Sequence, residues 1–300
     1  MIVSVSYRTD IPAFYGEWFM NRLRAGFCMT VNPYGGQVSR VDLTPETVGG
    51  FVFWTRNVGP FLGRLDEVRR MGFPFVVSYT ITGYPRALES SVVDPGRSID
   101  LMKSLRDAYG PKAAVWRYDT IVFSSLTPAD FHRRNFETLA RSLEGATDEA
   151  VVSFAQIYKK TKRNMDAAAG KFGFAWEDPA EEVKLALARD LAEIAGARGM
   201  RLSVCGQRPF IVPGSSDARC IDPRRLSEVA GRPIEADPRG HRPDCGCAAS
   251  RDIGEYDTCP HGCVYCYAVQ TPALARRRHR QHDPKGEFLI QERQIENWKL

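Results

Sequence analysis

An alternation running through the first two-thirds of this 300-residue chain is its strongest constraint on fold. Short apolar runs at 2–6, 51–54, 75–79, 113–116, 151–154 and 201–204 read as strands. Amphipathic stretches at 13–25, 58–71, 96–109, 127–143 and 180–198 read as helices between them. Pro60, Pro95 and Thr127-Pro128 with Asp130 supply start signals, and Gly72, Gly110-Pro111 and Gly199 supply stops. Strand and helix at this spacing predict βαβ units and a parallel sheet. Six repeats suit an α/β fold of the (β/α) barrel type, partial or complete and TIM-like; a doubly wound open sheet is the alternative. Asn32-Pro-Tyr-Gly-Gly36 predicts a turn or hairpin insertion over 28–43.

In a barrel, chemistry collects at the carboxyl ends of the strands. Polar residues stand there in nearly every unit: Tyr7-Arg8-Thr9-Asp10, Thr55-Arg56-Asn57, Ser78-Tyr79-Thr80, Arg117-Tyr118-Asp119 and Gln156. Polar loops are ordinary, yet Arg, Asn, Asp and Tyr after Trp54 and Trp116 are what a polar ligand pocket requires. Tyr7, Arg8, Asn57, Ser78, Arg117 and Gln156 are therefore candidate binding residues. After residue 206 the periodicity fades, and Pro, Gly, Arg and Asp dominate through Pro243. Such a segment cannot bury enough apolar surface to order itself, whereas metal ligation would order it. The expected division is a barrel-like domain over 1–204 and an irregular cysteine-rich segment over 205–300, folded across the barrel mouth.

The cysteines sharpen this. Seven of the eight lie from Cys205 onward. The chain has no run of 18 apolar residues, and Met1 to Asp10 lacks the basic start and apolar stretch of a secretory signal. A cytoplasmic location with no membrane span follows, and clustered cysteines in that compartment favour metal over disulfides. Cys259-Pro-His-Gly-Cys263-Val-Tyr-Cys266 has C-x3-C-x2-C spacing. Three such thiolates can hold three corners of a [4Fe-4S] cluster and leave one iron open to a small molecule. A structural zinc site instead wants four ligands. Cys205, which follows the last strand, joins Cys220, Cys245 and Cys247 in a complete set of four thiolates. That set suits a second iron–sulfur cluster or a structural zinc. Cys28 reads as a buried apolar residue. Two other arrangements remain: a pair of zincs with His261 or His241 completing the first set, and a single cluster with the remaining cysteines inert.

The net charge of +5 is mild, and much of it sits in Arg276-Arg-Arg-His-Arg280 with Lys285. This run suits the phosphates of a nucleic acid or a solvated helix end.

The tail from Cys245 through Ala268, the opening Ser4-Val-Ser-Tyr-Arg-Thr-Asp-Ile-Pro12 and Thr82-Gly-Tyr-Pro85 resemble an uncharacterised bacterial family, domain of unknown function 1848. The C-x3-C-x2-C motif, with Tyr265 before its last cysteine, is similar to the signature of radical S-adenosylmethionine enzymes. Some family members are loosely labelled DNA repair photolyases. The resemblance implies that Cys259, Cys263 and Cys266 ligate a [4Fe-4S] cluster whose open iron takes S-adenosylmethionine. It also implies a 5′-deoxyadenosyl radical acting on an unknown substrate, with a flavodoxin or ferredoxin as electron donor. The chain departs from that superfamily in two ways. The motif follows the barrel pattern instead of opening it, and no Gly-Gly-Glu-like segment stands ready for the methionyl amine. A non-radical iron–sulfur protein and a zinc-stapled nucleic-acid-binding protein are the competing expectations.

Overall fold

A computed structural model describes residues 1–240 and 244–291. Its strands are β1 (Ile2–Val5), β2 (Phe27–Val31), β3 (Val38–Asp42), β4 (Gly50–Thr55), β5 (Phe75–Thr80), β6 (Ala114–Ile121), β7 (Phe123–Ser124), β8 (Glu149–Phe154), β9 (Trp176–Glu177), β10 (Arg201–Val204), β11 (Ser215–Asp217) and β12 (Ser250–Asp252). Eight of them form one sheet in the order β11-β10-β8-β6-β5-β4-β1-β12. Every pairing in that sheet is parallel. The fold is α/β, as the alternation predicts. From β1 to β11 the strands follow one another in chain order, and β12 returns to the free edge of β1. Among the described residues β11 and β12 are not paired, so a closed barrel is not shown. β2 and β3 form the expected antiparallel hairpin around Asn32 to Gly36.

The helices are α1 (Ile11–Phe14), α2 (Gly16–Ala25), α3 (Gly59–Arg70), α4 (Pro95–Tyr109), α5 (Ala129–Ser142), α6 (Lys159–Phe172), α7 (Glu181–Gly196), α8 (Pro223–Ala230) and α9 (Pro272–Arg280). α6 escapes the periodicity argument because its apolar stripe is thin: only Thr161, Met165 and Ala168 are buried. The irregularity expected after residue 206 is corrected by β11, α8 and β12. The punctuation of α8 was present in the sequence. Asp222 caps the helix through its carboxylate on Arg224 N (2.9 Å), Pro223 opens it, and Gly231 closes it in the left-handed region.

Strand alternation sorts the sheet into two faces. Val3, Phe51, Phe53, Val77, Trp116, Val152 and Leu202 point to the face covered by α1 to α7, forming the larger core with Phe19, Phe61, Met102, Phe136 and Leu191. Ile2, Val52, Val76, Val115 and Val151 point the other way, where Ala218, Ile221, Leu226, Ile234 and Cys247 cover them. A parallel sheet apolar on both faces is what helix crossovers produce. On the second face the lining turns polar toward the carboxyl ends, at Ser4, Ser78, Arg117, Ser153 and Cys205. This explains why 117–121 continue β6, although their polarity reads as a loop. Arg117 and Asp119 alternate with buried Tyr118 and pair with each other, and Ser153 donates to Asp119.

α8 is the plug of the second face. Arg225 reaches Asp148 (2.9 Å), Glu149 (2.7 Å) and the Lys112 carbonyl (3.2 Å), while Leu226 seats over Gly50. Leu226 is 0 % exposed. Leu226→Ala should cost about 2–5 kcal/mol in a denaturant titration; a loss below about 1 kcal/mol would mean that α8 is not part of the core.

Candidate metal centre

The loop between β12 and α9 carries Cys259, Cys263 and Cys266. Backbone bonds lace it to 88–91: Val264 N donates to the Leu88 carbonyl (3.0 Å), and Ser91 N donates to that of His261 (3.0 Å). Glu89 and Cys263 pair as an isolated antiparallel bridge. Gly262 has φ +71°, and a Cβ there would run into the Ser90 hydroxyl, so glycine is required twice over. Cys266 N donates to the Cys263 carbonyl (3.2 Å), and Ala268 N donates to Cys266 Sγ (3.3 Å). One tight loop thus presents three half-buried thiols.

Charged residues from the strand ends surround it. Asp10, buried between β1 and α1, accepts from Arg56 N (2.7 Å) and Ala13 N (2.9 Å) and pairs with His261 Nε2 (2.7 Å). Arg56, which continues the second-face row after Val52 and Trp54, donates to Glu89 (2.7 Å), Thr82 (3.2 Å) and the Tyr265 hydroxyl (2.8 Å). Tyr265 in turn donates to Glu89. Burial pushes the Cys263 thiol up to about 12 against the pull of Arg56. Burial also raises Cys259, with Asp10 and the other two thiols adding to the rise, and it raises Cys266. Protonated thiols in such a place become ligands by giving their protons up to a metal.

The other four cysteines converge on the second face. Cys205 Sγ lies 3.5 Å from Cys220 Sγ, Cys220 touches Cys247, and Cys247 touches Cys245. Arg117 Nη1 donates to Cys220 Sγ (2.9 Å), and Ile221 N donates to Cys247 Sγ (3.4 Å). Contact with Cys205 draws the Cys220 thiol down, but Cys247 and burial push it further the other way, to about 11. Among the described residues no three His, Cys, Asp or Glu side chains stand as a finished single-ion site. The four thiols form a row of contacts instead. Cys28 is buried in the main core, as its sequence context suggests.

Of the six candidate binding residues only Tyr7 is held to the three-cysteine loop, its carbonyl accepting from the Tyr267 hydroxyl (2.7 Å). Ser78 and Arg117 line a narrow cavity beside Cys220, on the four-cysteine side. Tyr7 and Arg8 pack with Asp252 and Tyr256; Tyr7 N donates to Asp252 (3.1 Å), and the Arg8 guanidinium lies over the Tyr256 ring. Asn57 Oδ1 accepts from Gly59 N (3.1 Å) in the turn that starts α3. Gln156 is exposed and accepts from the Tyr158 hydroxyl (2.6 Å). Of the residues that do face the three thiols, Asp10 and Arg56 stand in the polar strand ends and Tyr265 in the cysteine motif, yet none is among the six candidate binding residues, and Glu89 is unmarked in the sequence. For Arg56 a usable signal existed, its parity with Val52 and Trp54. Glu89 lies in a loop with no periodicity to mark it.

His261 spends Nε2 on Asp10, and its Nδ1 is buried without a hydrogen-bond partner among the described residues. His241 lies outside the described residues. The basic run is divided on α9. Arg278 is buried and donates to the Tyr256 carbonyl (3.0 Å), while Arg276, Arg277 and Arg280 are exposed. No described helix is long and apolar enough to cross a membrane.

Two outcomes follow from this geometry. Gly262→Ala should destabilise the fold by about 1–3 kcal/mol through left-handed strain and the Ser90 clash. Adding Ser90→Ala should recover part of the loss in denaturant titrations, and no recovery would remove the clash from the explanation. Burial raises the Glu255 carboxyl to about 7, with Arg8 and Arg278 opposing and Asp252 assisting. A carboxyl raised in the folded state favours folding fully below its unfolded value and loses that contribution as pH rises through 7. The Tm advantage of Glu255→Gln over the native chain should therefore grow from pH 5 to pH 8; a constant difference would refute the assignment.

Comparison with known proteins adds a family and little else. No curated protein matches the chain. A triazine hydrolase variant overlays with a TM-score of 0.32 at 9% identity, covering 83% of this chain and 59% of the hydrolase. The chain thus spans about three-fifths of that protein's length. A Bacteroides thetaiotaomicron protein provisionally assigned as an alpha-L-fucosidase overlays with a TM-score of 0.29 at 11% identity, covering 80% of this chain and 85% of the other. Likenesses this weak carry no argument about activity. Residues 2–268, which hold all eight strands of the sheet and both cysteine groups, match the family described as Domain of unknown function (DUF1848), and the chain belongs to that family.

Proposed function

We propose that this chain is an iron–sulfur enzyme of the radical S-adenosylmethionine type, built on a (β/α) barrel-like sheet. The observation that carries this reading is the placement of three thiols from one loop at the carboxyl end of a parallel sheet, where α/β enzymes work. The donor set fits a site-differentiated [4Fe-4S] cluster: three thiols, a backbone N–H on Cys266 Sγ, and a guanidinium beside Cys263. When bound there by Cys259, Cys263 and Cys266, such a cluster would supply one-electron reduction of S-adenosylmethionine, with the electron drawn from a flavodoxin- or ferredoxin-class donor, as a source of methionine and a 5′-deoxyadenosyl radical for hydrogen abstraction. The chain's own residues provide the setting. Arg56 places positive charge beside thiolates that burial alone would keep protonated. Glu89 and Tyr265 fix that guanidinium, and Asp10 holds His261 and with it the first half of the loop. Phe14, packed on the His261 ring at 4.7 Å, keeps water from its buried side.

Anaerobic reconstitution should give about four irons and four sulfides on this loop. With dithionite and S-adenosylmethionine the protein should release 5′-deoxyadenosine, and Cys263→Ala should abolish both results. Iron binding with S-adenosylmethionine left intact would reduce the protein to an electron-transfer or sensing role. Absence of both iron and cleavage would overturn the reading.

A further inference from the structure

We propose that Cys205, Cys220, Cys245 and Cys247 form a tetrahedral thiolate site for zinc, which ties the end of β11, unpaired on its outer edge among the described residues, to the segment leading into β12. The site is separate from the three-cysteine loop and stands whether or not radical chemistry does.

Spacing favours one ion over a second cluster. Two thiolates on one tetrahedral zinc, with bonds of about 2.3 Å, stand about 3.8 Å apart. Cys205 and Cys220 are 3.5 Å apart, Cys220 interacts with Cys247, and Cys247 interacts with Cys245. In a four-iron cluster each thiolate sits on a different iron, outside a cube of iron and sulfide. Sulfurs already in contact would have to move well apart to surround that cube. Closing the row into a tetrahedron asks only for rotation of side chains that are neighbours now.

The backbone is shaped for this approach. Gly246 separates Cys245 from Cys247, and a Cβ on it would stand 3.0 Å from Asp217 Oδ2 and 3.2 Å from the Ala218 carbonyl. Only glycine lets the Cys245–Cys247 turn lie this close to the end of β11 without displacing it. Ala248 N donates to the Ile221 carbonyl (3.0 Å), which holds the turn beside Cys220. Outer contacts suit an anionic centre: Arg117 donates to Cys220 Sγ, and Asp119 orients Arg117.

The position gives the site a purpose. Cys205 follows β10, Cys220 follows β11, and Cys245 and Cys247 precede β12. β11 and β12 share no ladder, so the metal would supply across this seam the cohesion that backbone hydrogen bonds supply everywhere else in the sheet.

The test uses the full chain carrying Cys259→Ser, Cys263→Ser and Cys266→Ser, expressed with zinc and purified without oxygen. About one zinc per chain is expected, with no iron or sulfide. Cobalt in its place should show thiolate charge-transfer and tetrahedral d–d bands. Adding Cys220→Ser or Cys247→Ser should drop zinc to background, and Cys28→Ser should leave it unchanged. Arg117→Gln should weaken zinc by about 10–100-fold in chelator competition. Iron with sulfide on these four cysteines, absence of zinc, or zinc that survives both ligand substitutions would each overturn the proposal. If a ligand variant does not fold, the metal content and cobalt spectrum of the triple variant still decide.

Discussion

The carboxylate of Asp10 is the interaction on which the arrangement at the carboxyl end of the sheet rests. It caps α1, accepts the backbone N–H of Arg56 at the end of β4, and holds His261 in the cysteine loop. Three elements far apart in sequence meet at one buried group. A buried carboxylate is costly unless its oxygens are satisfied, and here each oxygen has a donor. The arrangement is therefore self-enforcing: the loop supplies part of what makes Asp10 tolerable, and Asp10 fixes where the loop can sit.

The two cysteine groups are brought together in opposite ways. Cys259, Cys263 and Cys266 are preorganised by a short loop whose own backbone bonds set their spacing. Cys205, Cys220, Cys245 and Cys247 come from three separate stretches and are brought together by the sheet and the turn at Gly246. Local sets survive local changes in the scaffold, whereas a distributed set reports on whether β10, β11 and the approach to β12 are all in place. The guanidiniums follow the same division, Arg56 beside the first group and Arg117 beside the second.

Much of this was legible in sequence where a single physical signal dominates. Helices with proline starts and glycine stops, and the continuous apolar strands of a two-sided sheet, read correctly because burial and backbone geometry agree. The hairpin over 28–43 read correctly for the same reason. α6 did not, since a surface helix with a thin stripe looks like a polar linker. Arg117 and Asp119 misread as loop because a strand facing a polar interior loses the alternation that marks strands. The candidate binding set suffered from the same limit. Position after a strand puts a residue at the rim, but Asn57 turns its side chain into a helix start and Gln156 turns outward. Glu89 reaches the site from a loop, where no periodicity announces direction.

β12 lies against β1, and Asp252 accepts from Ser4 (2.7 Å) and from Ser6 (2.6 Å) across nearly 250 positions of chain. Contacts this distant in sequence form late, because the closure entropy of the intervening chain must be overcome first. On a ribosome, β1 emerges before every other strand of its sheet and waits with one side bare while the rest is made. The cysteine loop follows β12, so its thiols can reach their place only after the eight strands of the sheet have been synthesised. Any metal taken up by the proposed sites would therefore be bound after the sheet is assembled, closing the fold instead of nucleating it.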